Sequence, residues 1–184
     1  MALEIERRFL VSGQQWRCHV CWQAWLEQGY LLASSDGLTV RVRQARGVAD
    51  VAGAWLTLKA PPAGGPMGPE GLVRQEFEYP IPEEDATALL ALAGQKLSKR
   101  RHGLDLPGGD WVVDVFEAEN APLVVAEVEL DAAALQQDLA LEIPAWCVAE
   151  LTGRHQLSNA SLARWPLARW PEDERLELLR LSSS

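Results

Sequence analysis

Cysteine is scarce in this chain. Its three residues, Cys18, Cys21 and Cys147, leave one thiol over in any pairing scheme. A disulfide-stapled framework is therefore excluded, and a cytoplasmic location is expected. Long apolar runs are missing too. No stretch approaches the ~18 residues that would span a bilayer, so no membrane association is expected. The opening MALEIERRFLV has no apolar core behind a basic start, which predicts no secretory leader. Basic residues are in deficit, 17 against 26 acidic, for a formal charge of −9. That balance argues against a nucleic-acid partner, although it leaves room for a local cationic pocket. A G-x-x-x-x-G-K-[ST] phosphate loop is absent, which sets aside an ordinary P-loop nucleotidase.

What is present suits one folded domain with a small appendage. The chain has 184 residues, 48% hydrophobic and 23% charged. Extended patterning dominates in Leu3–Val11, Gln23–Ala33, Thr39–Gln44, Ala54–Ala60, Val73–Tyr79, Lys96–His102, Trp111–Glu117 and Leu123–Leu130. Turn signals separate these segments at Ser34 to Gly37, Pro61 to Gly71 and Pro107 to Asp110. Helices are predicted over Pro82–Ala93 and Pro171–Leu181. Each begins with three acids that complement the positive end of the helix dipole. A short helix is placed at Gln14–His19. Eight strands and few helices predict an α+β, mainly antiparallel β protein built as a closed eight-stranded barrel with flanking helices. Residues 1–165 would form the barrel domain, and 166–184 a helical tail packed on or beside it.

The strands carry an anomaly. Residues two apart share a face, so Glu4, Glu6 and Arg8 oppose Ile5 and Phe9, and Arg41 and Arg43 oppose Val40 and Val42. Thr57 with Lys59, Arg74 with Glu76 and Glu78, Lys99 with Arg101, Asp114, and Glu127 with Glu129 repeat the plan. Solvated sheet faces are common and would explain charge on one side. Such faces usually mix Thr, Ser, Gln and Lys, whereas here Glu or Arg repeats at i and i+2, and adjacent like charges repel. If these faces turn inward, carboxylates supply hard oxygen ligands for Mg²⁺ or Mn²⁺. Guanidinium and ammonium groups then suit phosphate oxygens. Burying so much charge requires water and ligand to compensate.

These motifs, in this order, resemble the CYTH family of triphosphate tunnel metalloenzymes. The resemblance runs from Glu4 to about Leu162: Glu4-Ile5-Glu6-Arg7-Arg8, Gln28–Leu31, Arg41-Val42-Arg43, Leu56–Lys59, Arg74–Tyr79, Lys99–Arg101, Trp111–Phe116, Ala126–Leu130, Glu150–Thr152 and Ser158-Asn159. It implies an eight-stranded tunnel that hydrolyses or cyclises triphosphates. It implies metal binding by Glu4, Glu6, Glu127 and Glu129, with Asp114, Glu76 and Glu78 in support. It implies that Arg41, Arg43, Lys59, Arg74, Lys99 and Arg101 grip the triphosphate. Arg8 stands where the family has Lys. Arg is not deprotonated in proteins, so Arg8 can hold phosphate but cannot be a base. Lys99 becomes the candidate base if neighbouring Arg residues lower its pKa, with Tyr30 as the other candidate. Leu157 replaces the Tyr that related chains tend to carry before Ser-Asn.

The leading expectation is a metal-dependent inorganic tripolyphosphatase, a monomer or homodimer. Thiamine triphosphatase, nucleoside triphosphatase or class IV-type adenylate cyclase activity would share the tunnel, and a catalytically weak polyphosphate-binding module is the reading from another class. Cys18-His19-Val20-Cys21 has a C-x-x-C spacing but lacks a paired motif, and it is expected to pack rather than bind metal. His102 and His155 are expected to be structural. Trp22, Trp25 and Trp55 are expected to pack outside the lumen.

Overall fold

The computed structural model describes residues 2–34, 37–48, 51–60, 73–130 and 141–182; for residues 2–5 and 73–74 it describes the backbone only. The loop expected at 61–71 lies outside these residues. Nine strands are present among them: β1 (Ala2–Val11), β2 (Val20–Ala33), β3 (Thr39–Gly47), β4 (Gly53–Ala60), β5 (Val73–Pro80), β6 (Gln95–Leu104), β7 (Asp110–Phe116), β8 (Val124–Glu129) and β9 (Cys147–Glu150). A 3₁₀ turn (Gln15–His19) stands where a short helix was predicted. The helices are α1 (Glu83–Leu92), α2 (Asn159–Arg164) and α3 (Glu172–Ser182). α1 and α3 each open on three acids, as their sequences require. Residues 2–130 thus carry the eight predicted strands within a few residues of their expected ends. β9 and α2 were not foreseen.

All pairings are antiparallel, in the order β5-β4-β3-β2-β6-β7-β8-β1-β9. β1 is shared. Ala2–Ile5 pairs with β5, Glu6–Leu10 with β8, and Phe9–Val11 with β9. The result is an α+β protein dominated by one antiparallel sheet.

The apolar face of this sheet is covered from outside. α1 lays Ala86 and Leu90 on Val42 and Ala54. The helix comes so close that a Cβ on Gly29 would sit 2.7 Å from that of Ala93, so the Gly is required by packing. Phe9, Val11, Trp111, Val113, Ala126 and Val128 bury against Trp16 and Trp146. A third cluster is different. Leu10, Leu97, Phe116 and Val125 are in step with the charged positions of their own strands. They pack with Leu162, Leu167, Trp170 and Leu178 from the C-terminal segment. The charged face is therefore filled at one end by apolar side chains. Asn120 pins that filling, accepting from the Leu167 amide (2.9 Å) and donating to the Leu162 carbonyl (3.2 Å).

Candidate active site

The alternation read from the sequence places the charges on one face, and the cross-strand register joins them into a network. On β3, Arg41 Nη2 meets Thr57 Oγ1 at 3.1 Å and Glu78 at 3.4 Å, with Glu76 at 3.8 Å. Arg43 Nη2 reaches Glu78 at 2.7 Å, and Lys59 Nζ reaches Glu76 at 3.3 Å. Across the sheet, Arg8 Nε lies 3.2 Å from Glu127 and 3.5 Å from Glu6. Arg101 takes both oxygens of Asp114 (2.8 and 2.7 Å) and also bonds Glu127. Lys99 Nζ donates to Asp114 and, at 3.1 Å, to Asn159 Oδ1 at the start of α2.

Burial sets the electrostatics. Lys99 and Asp114 are both 0% exposed. Loss of hydration is the main cause that brings the Lys99 ammonium down to about 8; Arg101 helps, and Asp114 opposes. The lowering expected from neighbouring Arg residues is present, but it is secondary to burial. Desolvation would raise the carboxyl of Glu127, yet Lys99, Arg101, Arg8 and Lys59 together hold it well below the usual carboxylate range. Burial pushes the Tyr30 phenol up to about 12. Tyr30 therefore stays protonated near neutrality and can donate a hydrogen bond, a role distinct from a phenolate base.

Three guanidinium nitrogens on this face, Arg8 Nη2, Arg41 Nε and Arg43 Nε, are buried without a hydrogen-bond partner among the described residues. Buried donors are normally paired, so each marks a place for a bound acceptor.

The expected metal ligands divide. Glu127 and Asp114 are committed to cations. Glu76 and Glu78 face Lys59, Arg41 and Arg43. Glu6 and Glu129 stand directly opposite one another on β1 and β8, with Asp110 opposite Glu129 on β7. Like charges in such register repel; Arg8 at 3.5 Å relieves Glu6 in part, and a divalent cation there would relieve the pair further. Their hard oxygens suit Mg²⁺ or Mn²⁺. Among the described residues, no three His, Cys, Asp or Glu side chains converge as a ready-made metal cage. Glu4 and Arg74 are register partners on β1 and β5; their side chains lie outside the described residues.

Other sequence candidates separate from this site. Cys18 and Cys21 are exposed, and each thiol bonds a backbone carbonyl, of Gln15 and Gly103 respectively. His102 packs edge-on against Trp16, and burial lowers its pKa. Trp25 lies on the far face, where its indole N–H donates to Glu117 at 2.8 Å. Trp22 and Trp55 are different. Trp22 pairs with Gly103 and Trp55 with Arg43, in step with Arg101 and Thr57. Both tryptophans therefore stand on the charged face, contrary to expectation. Thr57, read with Lys59 on the charged face, and Asn159, quoted only within the Ser-Asn motif, also join the network, although neither was assigned a role in the site. The signal for Thr57 was its position two residues before Lys59. Asn159 had none beyond its place in the Ser-Asn motif.

The CYTH domain family model matches residues 2–160. An inorganic triphosphatase of Acetivibrio thermocellus is 30% identical over 175 residues, covering 94% of this chain and all of the relative. An inorganic triphosphatase of Nitrosomonas europaea is 33% identical over 165 residues, 87% of this chain and 96% of the relative. Among solved structures, the crystal structure of an inorganic triphosphatase superposes with a TM-score of 0.57 at 29% identity, covering 89% of this chain and 95% of its own. No helix among the described residues is long and apolar enough to cross a membrane. With its charged strands in the register described and nearly its whole length matched, the chain belongs to the CYTH domain family.

Proposed function

We propose that this protein is a metal-dependent triphosphatase whose first substrate is inorganic tripolyphosphate, bound inside a closed tunnel of β1–β8. The observation that carries the reading is the trio of buried, unpartnered guanidinium nitrogens on Arg8, Arg41 and Arg43. Three fixed cations with spare donors on one face call for a polyanion. Both relatives are named inorganic triphosphatase and share the site's length of chain.

Support for closure comes from electrostatics as well as from the β1–β5 pairing. Lys59 on β4 acts on Glu127 on β8. In a flat sheet those strands would be five spacings apart, about 24 Å, far beyond screening distance. Curling brings them together. Residues 1–165 then form the tunnel, and 166–184 continue the apolar filling of one end.

In this reading Arg8, Arg41, Arg43, Lys59, Arg74 and Arg101 hold the phosphate oxygens. Glu4, Glu6 and Glu129 would hold Mg²⁺ or Mn²⁺. The cation, when bound, neutralises phosphate charge and acidifies coordinated water. Arg101 and Lys99 hold the Glu127 carboxyl well below the usual carboxylate range and both bond Asp114, so substrate enters a site whose cations are already oriented and need little reorganisation. Tyr30 donates from its phenol. Lys99 is the proposed proton acceptor, with a pKa of about 8 close to working pH. Accepting a proton requires the neutral amine, freed from Asp114 and Asn159. Initial rates between pH 6 and 10 are expected to rise through about pH 8 and then level; a fall through the same range would make Lys99 a charged phosphate ligand instead.

The test is phosphate release from tripolyphosphate, ATP and thiamine triphosphate, with Mg²⁺ or Mn²⁺ and again with excess chelator. Release from tripolyphosphate that the chelator stops is expected. Cyclic AMP from ATP would convert the assignment to a cyclase. Tight tripolyphosphate binding with no release under any metal would leave a binding module.

A further inference from the structure

Gln28 sits where the charged face meets its apolar filling. It lies on β2 two residues before Tyr30, directly opposite Arg43 on β3 and Leu97 on β6. Leu97 belongs to the cluster that closes one end of the face, with Leu10, Phe116 and Leu162. Arg41 and Lys99 hold the diagonal positions, since they pair with Tyr30 and Leu26. Diagonal neighbours stand about 7–8 Å apart, within reach of long side chains. A neutral amide thus lies between the phosphate grip on one strand and the proton acceptor on the other.

Gln28 is only 1% exposed, yet its Oε1 has no hydrogen-bond partner among the described residues. Buried acceptors are normally paired. Arg43 Nε, on the residue directly opposite, is unpartnered too, so the two groups do not satisfy each other. The spare guanidinium nitrogens are donors and call for an anion. Gln28 Oε1 is the opposite case: it accepts, and it needs a donor. Of the two reactants in triphosphate hydrolysis, the ionised phosphate oxygens only accept, and water carries the O–H groups. The apolar filling keeps bulk water from this end, so a water that works there must be held by the protein.

We propose that Gln28 Oε1 holds the nucleophilic water, accepting from one of its O–H groups and fixing its oxygen against the terminal phosphorus of the triphosphate. This rests on the triphosphatase reading of the charged face. The water oxygen bonds to the terminal phosphorus, the bond from that phosphorus to its bridging oxygen breaks, and diphosphate departs with the electron pair. One water proton passes to Lys99, and the other, on Gln28, stays with the new phosphate. A neutral acceptor suits the task, because a carboxylate there would repel the incoming polyanion. A glutamine amide orients the attacking water in GTP hydrolysis by the same chemistry. Turned end for end, the amide would offer its N–H₂ to a phosphate oxygen instead, and the two arrangements predict different losses.

Steady-state phosphate release from tripolyphosphate, with Mg²⁺ or Mn²⁺, is measured beside thermal melts for wild type, Gln28→Met and Gln28→Glu. Gln28→Met keeps the length and removes the acceptor. Its kcat is expected to fall about 10²-fold, the effect of a misplaced reactant, with KM changed by no more than about twofold. Its melting temperature should hold or rise, because an unpaired buried polar atom is gone. Gln28→Glu restores an acceptor oxygen, so it should recover part of kcat while raising KM. A raised KM with kcat unchanged in Gln28→Met makes Gln28 a phosphate ligand and overturns the proposal, as does an unchanged kcat and KM. A lower melting temperature with kcat lost equally in both variants makes the amide structural and overturns it as well. Wild type that releases no phosphate overturns the triphosphatase reading, and the water-holding role falls with it.

Discussion

Asp114→Asn is expected to lower the melting temperature by on the order of 10 °C at pH 6. Asp114 is wholly buried, and its two oxygens serve Lys99 and Arg101 at once. The amide keeps the volume, but it removes the charge and presents an N–H₂ to two cations. Breaking a buried pair by removing one partner typically costs about 3–5 kcal/mol. For a chain of this size each kcal/mol is worth about 2–4 °C. The loss should shrink as pH rises. Burial already holds Lys99 near 8, below its ordinary 10.5. Without Asp114 the folded-state pKa drops further, so the unfolded state binds the extra proton over a wider window below 10.5. Stability of the variant then rises with pH more than that of wild type. Melts at pH 6 and pH 9 should show the gap narrowing. An unchanged melting temperature at pH 6 would mean that Asp114 is dispensable to the buried charges.

This dependence on partners explains what could and could not be read from the sequence. Period-two alternation was unambiguous wherever one face was charged and the other apolar, as in Thr39–Gln44, so such strands and their charged face were legible. β9 and α2 span four and six residues, too few for a period to emerge. Partner choice was illegible as well, because alternation assigns a face and says nothing of register. Asp114, taken from the family resemblance as a supporting metal ligand, has both oxygens on cations. The tryptophans divide instructively. Around Trp22 both faces of β2 carry bulky apolar residues, so only its pairing with Gly103 reveals its side. Trp55 could have been placed, since it lies two residues before Thr57 in a strand whose charged face was already known.

Arg41→Ala is expected to reduce kcat/KM for tripolyphosphate by about 10²–10³ while leaving the fold almost untouched. Arg41 is only 8% exposed, and its Nε is buried without a partner among the described residues. Removing one preorganised donor from a charge-stabilising site costs about that factor. The fold survives because its carboxylate neighbours keep other cations: Glu78 retains Arg43 at 2.7 Å, and Glu76 retains Lys59 at 3.3 Å. Asp114→Asn takes a carboxylate from two buried cations, leaving Arg101 with Glu127 alone, whereas Arg41→Ala strands no carboxylate, and the two variants should separate stability from catalysis. Arg41→Lys supplies the charge without the fork. It should recover only part of the lost activity, because bidentate geometry is absent. Steady-state kinetics beside thermal melts would decide the matter. Near-wild-type kcat/KM in Arg41→Ala would remove Arg41 from the phosphate grip, and a collapsed melt would recast it as a structural ion.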